Sequence, residues 1–71
     1  MDICKQVGLN VRDQRLDLGW SQEDLAFESD LHRTYISGIE RGIRNPTVSI
    51  VERLGKALGV SAAALLAERK R

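Results

Sequence analysis

An all-helical fold of five short helices is what this sequence predicts, on three observations. Apolar residues recur at helical spacing along most of the chain. Serines suited to open helices and glycines suited to close them punctuate those runs. Residues 21–46, SQEDLAFESDLHRTYISGIERGIRNP, read as two short helices joined by a tight turn. The 71 residues make room for one domain, 1–71, with a single thin core. A core that small gains stability from a partner subunit. No linker, internal repeat or low-complexity segment divides the chain.

The first helix is expected over residues 3–18, with Val7, Val11 and Leu18 on one stripe and Gly19 as its stop. Leu9 and Leu16 fall nearly opposite that stripe, as a partner contact or as scattered exposed leucines, which are common. Cys4 reads as a small apolar residue in a frayed N-terminus. As the chain's one cysteine it forms no internal disulfide, which fits a reducing cytoplasm. Trp20, one residue before Ser21, is placed to clamp the next helix as a hydrophobic staple and is assigned to the core.

Ser21 is suited to cap the amide of Asp24, so a second helix should begin at Gln22 and bury Leu25 and Ala26. It should stop near Glu28 or Ser29, because Ser29 and Asp30 favour turns. A third helix follows from about Arg33, with Leu31, Ile36, Ile39 and Ile43 facing inward. Arg33, Thr34, Ser37, Gly38 and Arg41 then share the outer face. A helix with such a face is able to enter the DNA major groove. An ordinary solvated helix shows the same stripe, so its context must decide. After Pro46 a fourth helix should turn Val48, Val51, Leu54 and Leu58 inward and end at Gly59. Ser61 then caps a short fifth helix through Leu65 and Leu66, and residues 68–71 form a charged tail expected to fray.

The net charge is only +1, less than many nucleic-acid binders carry. Its distribution is uneven. Residues 1–30 hold three basic against seven acidic side chains, a net −4, and residues 31–71 hold eight against three, a net +5. The proposed reading helix lies in the basic half. Catalysis has little support: one histidine, one cysteine and no glycine-rich phosphate loop supply no nucleophile-base pair, so neither an enzyme nor a cofactor is expected. A lone histidine gives no basis for a metal site. The opening Met1-Asp2 with no long apolar run after it argues against a signal peptide or a membrane span and for a cytoplasmic protein.

SQEDLA at residues 21–26, followed at fixed spacing by Ile39-Glu40-Arg41-Gly42 and then Arg44-Asn45-Pro46, resembles the signature of the Cro/CI-type (phage repressor-like, XRE) helix-turn-helix regulators. The resemblance spans about residues 7–66 and puts the helix-turn-helix at about 21–41. It implies a compact five-helix lambda-repressor-like domain that binds double-stranded operator DNA as a homodimer. Within it, Arg33, Thr34, Ser37 and Gly38 are the expected base-reading positions, Gly38 by close approach alone. Gln22, Tyr35, Arg41, Arg44 and Asn45 are expected at the DNA backbone, with Arg44 also within reach of a base or the minor groove. Arg15 and Glu40 correspond to a partly buried structural ion pair. Ile50, Ala62, Ala64 and Leu65 form the candidate dimer seam.

Two positions depart from the family pattern. Asp30 stands where the turn usually has glycine, and His32 where a small capping residue often opens the reading helix. Asp tolerates the left-handed conformation at modest cost. His32 has three readings: a weak cap, a phosphate contact when protonated, or a solvent-facing side chain. The run LHRTYISGIERGIRNP also looks similar to controller proteins of restriction-modification systems. Repression follows if the operator overlaps a promoter, whereas activation requires a surface that meets RNA polymerase. The alternative is an antitoxin or adaptor that uses the same fold to bind protein; it calls for a large apolar surface beyond the dimer seam.

Overall fold

Each helix of the protein, a computed structural model that describes residues 2–68, begins and ends where its local chemistry dictates. The elements are α1 (Ile3–Asp17), α2 (Gln22–Ser29), α3 (Arg33–Glu40), α4 (Val48–Leu58) and α5 (Ala62–Leu66), with no strand among the described residues. The last three residues of the charged tail lie outside that span. Four starts carry side-chain caps, which satisfy amides that have no partner within the helix. Asp2 accepts from the Cys4 amide at 2.8 Å, so Cys4 belongs to an ordered, half-buried first turn and not to a frayed end. Ser21 and Asp24 form a reciprocal capping box, at 3.0 and 2.8 Å. Thr47 and Ser61 cap α4 and α5.

The exits matter as much, because they set the angle between α2 and α3. At the end of α2, Asp30 adopts φ 57° and ψ 40°, and the Leu31 amide reaches back to the Ala26 carbonyl at 3.0 Å. The turn therefore keeps the geometry that glycine would adopt without strain. At the end of α3, Gly42 has φ 76°. The Gly42 and Ile43 amides donate back to the carbonyls of Ile39 and Gly38, both at 3.0 Å, which closes a Schellman turn.

One core joins all five helices: Val7, Val11, Leu25, Ala26, Ile36, Ile39, Val51, Leu54, Leu58 and Leu65, with Trp20, Leu31, Tyr35, Ile50 and Ala62 packed against it. Helix α1 lies across α3 and α5, α2 bridges α3 and α4, and α4 packs on α5. The tightest approach is between α1 and α3. A Cβ at Gly8 would collide with the Ile39 carbonyl oxygen and come within 2.9 Å of the Glu40 carbonyl oxygen. Two amides of α1 hold the short α5: Gln6 donates to the Leu66 carbonyl at 2.7 Å, and Asn10 donates to Leu65 and Ala67 at 2.9 and 2.8 Å. These bonds satisfy carbonyls that a five-residue helix leaves open at its end.

Four further expectations are corrected. Leu18 (47 % exposed) and Ile43 (65 % exposed) do not face inward. Both lie at or beyond the turn that ends their helix, so helical spacing no longer governs where they point. Val48 is on the expected side of α4 but stays exposed, because α1 and α5 do not cover the first turn of α4; it lines an open apolar cleft of about 180 Å³ with Ile3, Cys4, Pro46 and Leu66. Leu65 is completely buried within the single chain and so is unavailable to a dimer seam.

Replacing Gly8 by Ala meets backbone atoms that no rotamer change moves, and overpacking of this kind costs about 1–3 kcal/mol. Urea denaturation of Gly8→Ala should show the loss, even though alanine is the better helix former.

Candidate nucleic-acid interface

Helix α3 presents its ends differently to solvent. Arg33 and Thr34 in its first turn are exposed, Ser37 one turn on is half-buried, and Arg41 caps the C-terminal end in the open. His32 is exposed and makes no side-chain cap; its Nδ1 lies 3.3 Å from the Thr34 hydroxyl. Gly38 departs from expectation. It lies on the outer side of α3 yet is buried, because the side chain of Arg44 folds back from the following loop and covers it. The Arg44 guanidinium carbon then sits 5.7 Å from the centroid of the half-buried Tyr35 ring, within cation-π range. Asn45 is exposed beside it. The outer surface is thus built by α3 and the 42–46 loop together.

Beneath this surface one carboxylate ties three helices together. Arg15 of α1 donates from Nε to Glu40 Oε2 at 2.7 Å and from Nη2 to Oε1 at 2.9 Å, a bidentate ion pair with both side chains buried. Gln22 at the start of α2 donates to the same Oε1 at 3.1 Å. The remaining Arg15 donor, Nη1, bonds the Trp20 carbonyl at 2.8 Å, and no buried side-chain polar atom is left without a partner among the described residues. Hydrogen bonding to Glu40 raises the Arg15 pKa above its already strongly basic value, against the lowering effect of burial. The stability this contributes is complete below the ordinary arginine pKa and is lost only at still higher pH, so Arg15 stays charged throughout the range in which the protein functions.

Of the residues singled out from sequence, Arg33, Thr34, Ser37, Tyr35, Arg44 and Asn45 share one surface, with Arg41 at its far end. Gln22 is half-buried and engaged with Glu40. The seam candidates Ile50 and Ala62 are half-buried and Ala64 is exposed. The coupling of Gly38, Tyr35 and Arg44 went unread in the sequence, where its available signal was a glycine in the middle of an eight-residue helix.

Two short helices joined by a left-handed turn, the second held by its last residue to the scaffold and exposed at its first turn, define a helix-turn-helix protein. Residues 11–65 match the helix-turn-helix family HTH_3, and the chain belongs to that family, of the Cro/CI (XRE) type. It is 57 % identical over 60 residues to the control protein C.BamHI of Bacillus amyloliquefaciens, covering 83 % of this chain and 74 % of that one. Among solved structures it is similar to the hypothetical transcription factor NHTF from Neisseria, with a TM-score of 0.90 and 42 % identity over 93 % of this chain and 76 % of that one. It is also similar to the restriction-modification controller protein C.Esp1396I, solved as a tetramer in complex with its natural 35 base-pair operator. There the TM-score is 0.83 with 43 % identity, over 92 % of this chain and 86 % of that one. Two of these relatives are thus control or controller proteins and the third a hypothetical transcription factor. No helix among the described residues is long and apolar enough to cross a membrane.

Arg15→Ala strands the buried Glu40 carboxylate, which costs about 3–5 kcal/mol where such pairs are broken. Thermal melting without DNA should show a large fall in midpoint. Arg15→Lys should recover part of it, because a lysine cannot make the two-pronged contact.

Proposed function

We propose that this protein is a sequence-specific DNA-binding transcription regulator of the restriction-modification controller type. It binds as a homodimer to a pseudo-palindromic operator and places one α3 per subunit in the major groove. The observation that carries this reading is the exposed first turn of α3, Arg33 and Thr34, set on a scaffold similar to one seen with its operator. An eight-residue helix offers its N-terminal turn to base edges in the docking that helix-turn-helix proteins share, and dimers span half-sites about one helical turn apart.

Arg33 reads guanine O6 and N7 with its planar fork. Thr34 offers a methyl group to thymine or a hydroxyl to either partner, and Ser37 extends the footprint one turn further. Gln22, Tyr35, Arg41 and Asn45 hold the phosphates and fix the register without reading sequence. One amide hydrogen of Gln22 already goes to Glu40 and the other serves the phosphate. Arg44 serves both strand backbone and groove. The basic excess of residues 31–71 places the attractive charge in the half of the chain that meets DNA. The second subunit docks near Ala64 and the exposed edges of Ile50 and Ala62. The protein acts in the cytoplasm, and a promoter-overlapping operator makes it a repressor, while activation requires contact with RNA polymerase.

Selection from a random duplex library tests the proposal. Enrichment of an inverted repeat, bound far more tightly than random DNA and with a steep salt dependence, is the expected result. Recovery of no sequence, with weak salt-sensitive binding alone, would overturn it. On the selected site, Arg33→Ala should cost about 1–3 kcal/mol of specific affinity and relax the preference at one position in each half-site. Arg41→Ala should instead weaken specific and random DNA alike and make the salt dependence shallower. Equal behaviour of the two variants would remove Arg33 from the reading role.

A further inference from the structure

We infer that Gly38 is a positioning residue for DNA recognition: its missing side chain leaves the slot in which Arg44 lies, and so holds the Arg44 guanidinium over Tyr35 on the reading face. The inference rests on the DNA-binding reading proposed above and assigns Gly38 a part in it other than contact with a base.

The geometry separates Gly38 from Gly8, a glycine in a tight contact between two helices. At Gly8 the atoms that a Cβ would meet first belong to the backbone of α3, so glycine there serves the packing of two helices. At Gly38 the three nearest atoms all belong to one flexible side chain: Arg44 Cγ at 2.6 Å, Nε at 3.3 Å and Cδ at 3.5 Å. The fold does not require glycine at this position. Glycine is among the poorest helix formers, and here it occupies the sixth of eight residues in the helix proposed to read DNA. What it permits is the course of Arg44.

The loop is prepared for this arrangement. The Ile43 amide donates to the Gly38 carbonyl itself, at 3.0 Å, so the chain that carries Arg44 is turned back across the helix at the residue that Arg44 covers. The methylenes cross Gly38 and the guanidinium ends above the Tyr35 ring, 5.7 Å from its centroid. An arginine is flexible, and fixing its stem and stacking its head before DNA arrives removes part of the ordering cost of binding. A methyl group at residue 38 lifts the stem, moves the guanidinium off the ring and leaves Arg44 to find its contact from a disordered start.

The test is a double-mutant cycle of wild type, Gly38→Ala, Arg44→Ala and the double variant, read in two ways. In the free protein, the Arg44 δ protons, which lead to the guanidinium above the Tyr35 ring, should resonate away from random-coil values, and Gly38→Ala should move them toward those values while the melting temperature holds or rises. On the selected operator, Gly38→Ala should weaken binding roughly fivefold or more, the lower end of what a lost arginine contact costs. In the Arg44→Ala background the same change should have no further effect. An equal loss in both backgrounds would overturn the inference, because the methyl group would then be acting on DNA or on the helix directly. Unchanged Arg44 resonances in Gly38→Ala would also overturn it, and this readout needs no DNA. Shifted resonances in a protein that selects no operator would instead overturn the DNA-binding reading and with it the role in recognition, while leaving the packing of Arg44 on Gly38 in place.

Discussion

The carboxylate of Glu40 is the point on which the arrangement of the first three helices depends. It accepts two bonds from Arg15 and one from Gln22, so α1, α2 and α3 meet at two oxygen atoms. A buried ion pair of this kind is weak evidence for net stability, since desolvation offsets much of the attraction. Its value here is directional. A guanidinium fork engages a carboxylate in one plane, and that plane fixes the end of α3 on the scaffold. Gly8 sets the other coordinate, because its missing Cβ lets the backbone of α3 rest directly on α1. Depth and orientation of the outer helix are thus set by different atoms of the same neighbour.

Much of this fold was legible in the sequence, because its helices are punctuated by residues with one plain local role. Ser21, Ser61, Gly19 and Gly59 mark helix ends through capping and left-handed exits, and each does so in the structure. The capping box and the Arg15–Glu40 pair were legible for a different reason, since motif spacing carries three-dimensional information. The misses share a cause. Periodicity says which way a residue faces while its helix continues; it says nothing of what lies opposite. Val48 faces the right way but borders an open cleft that leaves it exposed, Ile43 follows a turn that cancels the period, and Leu65 is covered entirely by its own chain. Gly8 and Asn10 gave no periodic signal at all, because their roles depend on backbone brought from 31 to 57 positions away in sequence.

The candidate site was legible in its members and not in its assembly. Arg33, Thr34 and Ser37 follow from the helical face alone. That Arg44 returns from the loop to lie over Gly38 and Tyr35 follows from the Schellman turn at Gly42, whose two backbone bonds reverse the chain within three residues. A helical projection cannot show this, since Arg44 is not in the helix. The outer surface therefore joins a rigid part, fixed through Glu40, to an adaptable part, fixed only by the packing of one arginine stem and one aromatic ring.

The position of Trp20 gives the molecule an optical property of its own. It is the chain's one tryptophan, it packs half-buried against the core, and its carbonyl receives a bond from the same guanidinium that holds Glu40. Its own amide donates to the Arg15 carbonyl at 3.1 Å, so the backbone of Trp20 is bonded to Arg15 on both sides. The one tyrosine lies on the opposite assignment, beneath Arg44 on the outer face. Excited at the red edge, where indole alone absorbs, the protein therefore reports the opening of the three-helix junction through tryptophan emission, without any label and without a contribution from the tyrosine.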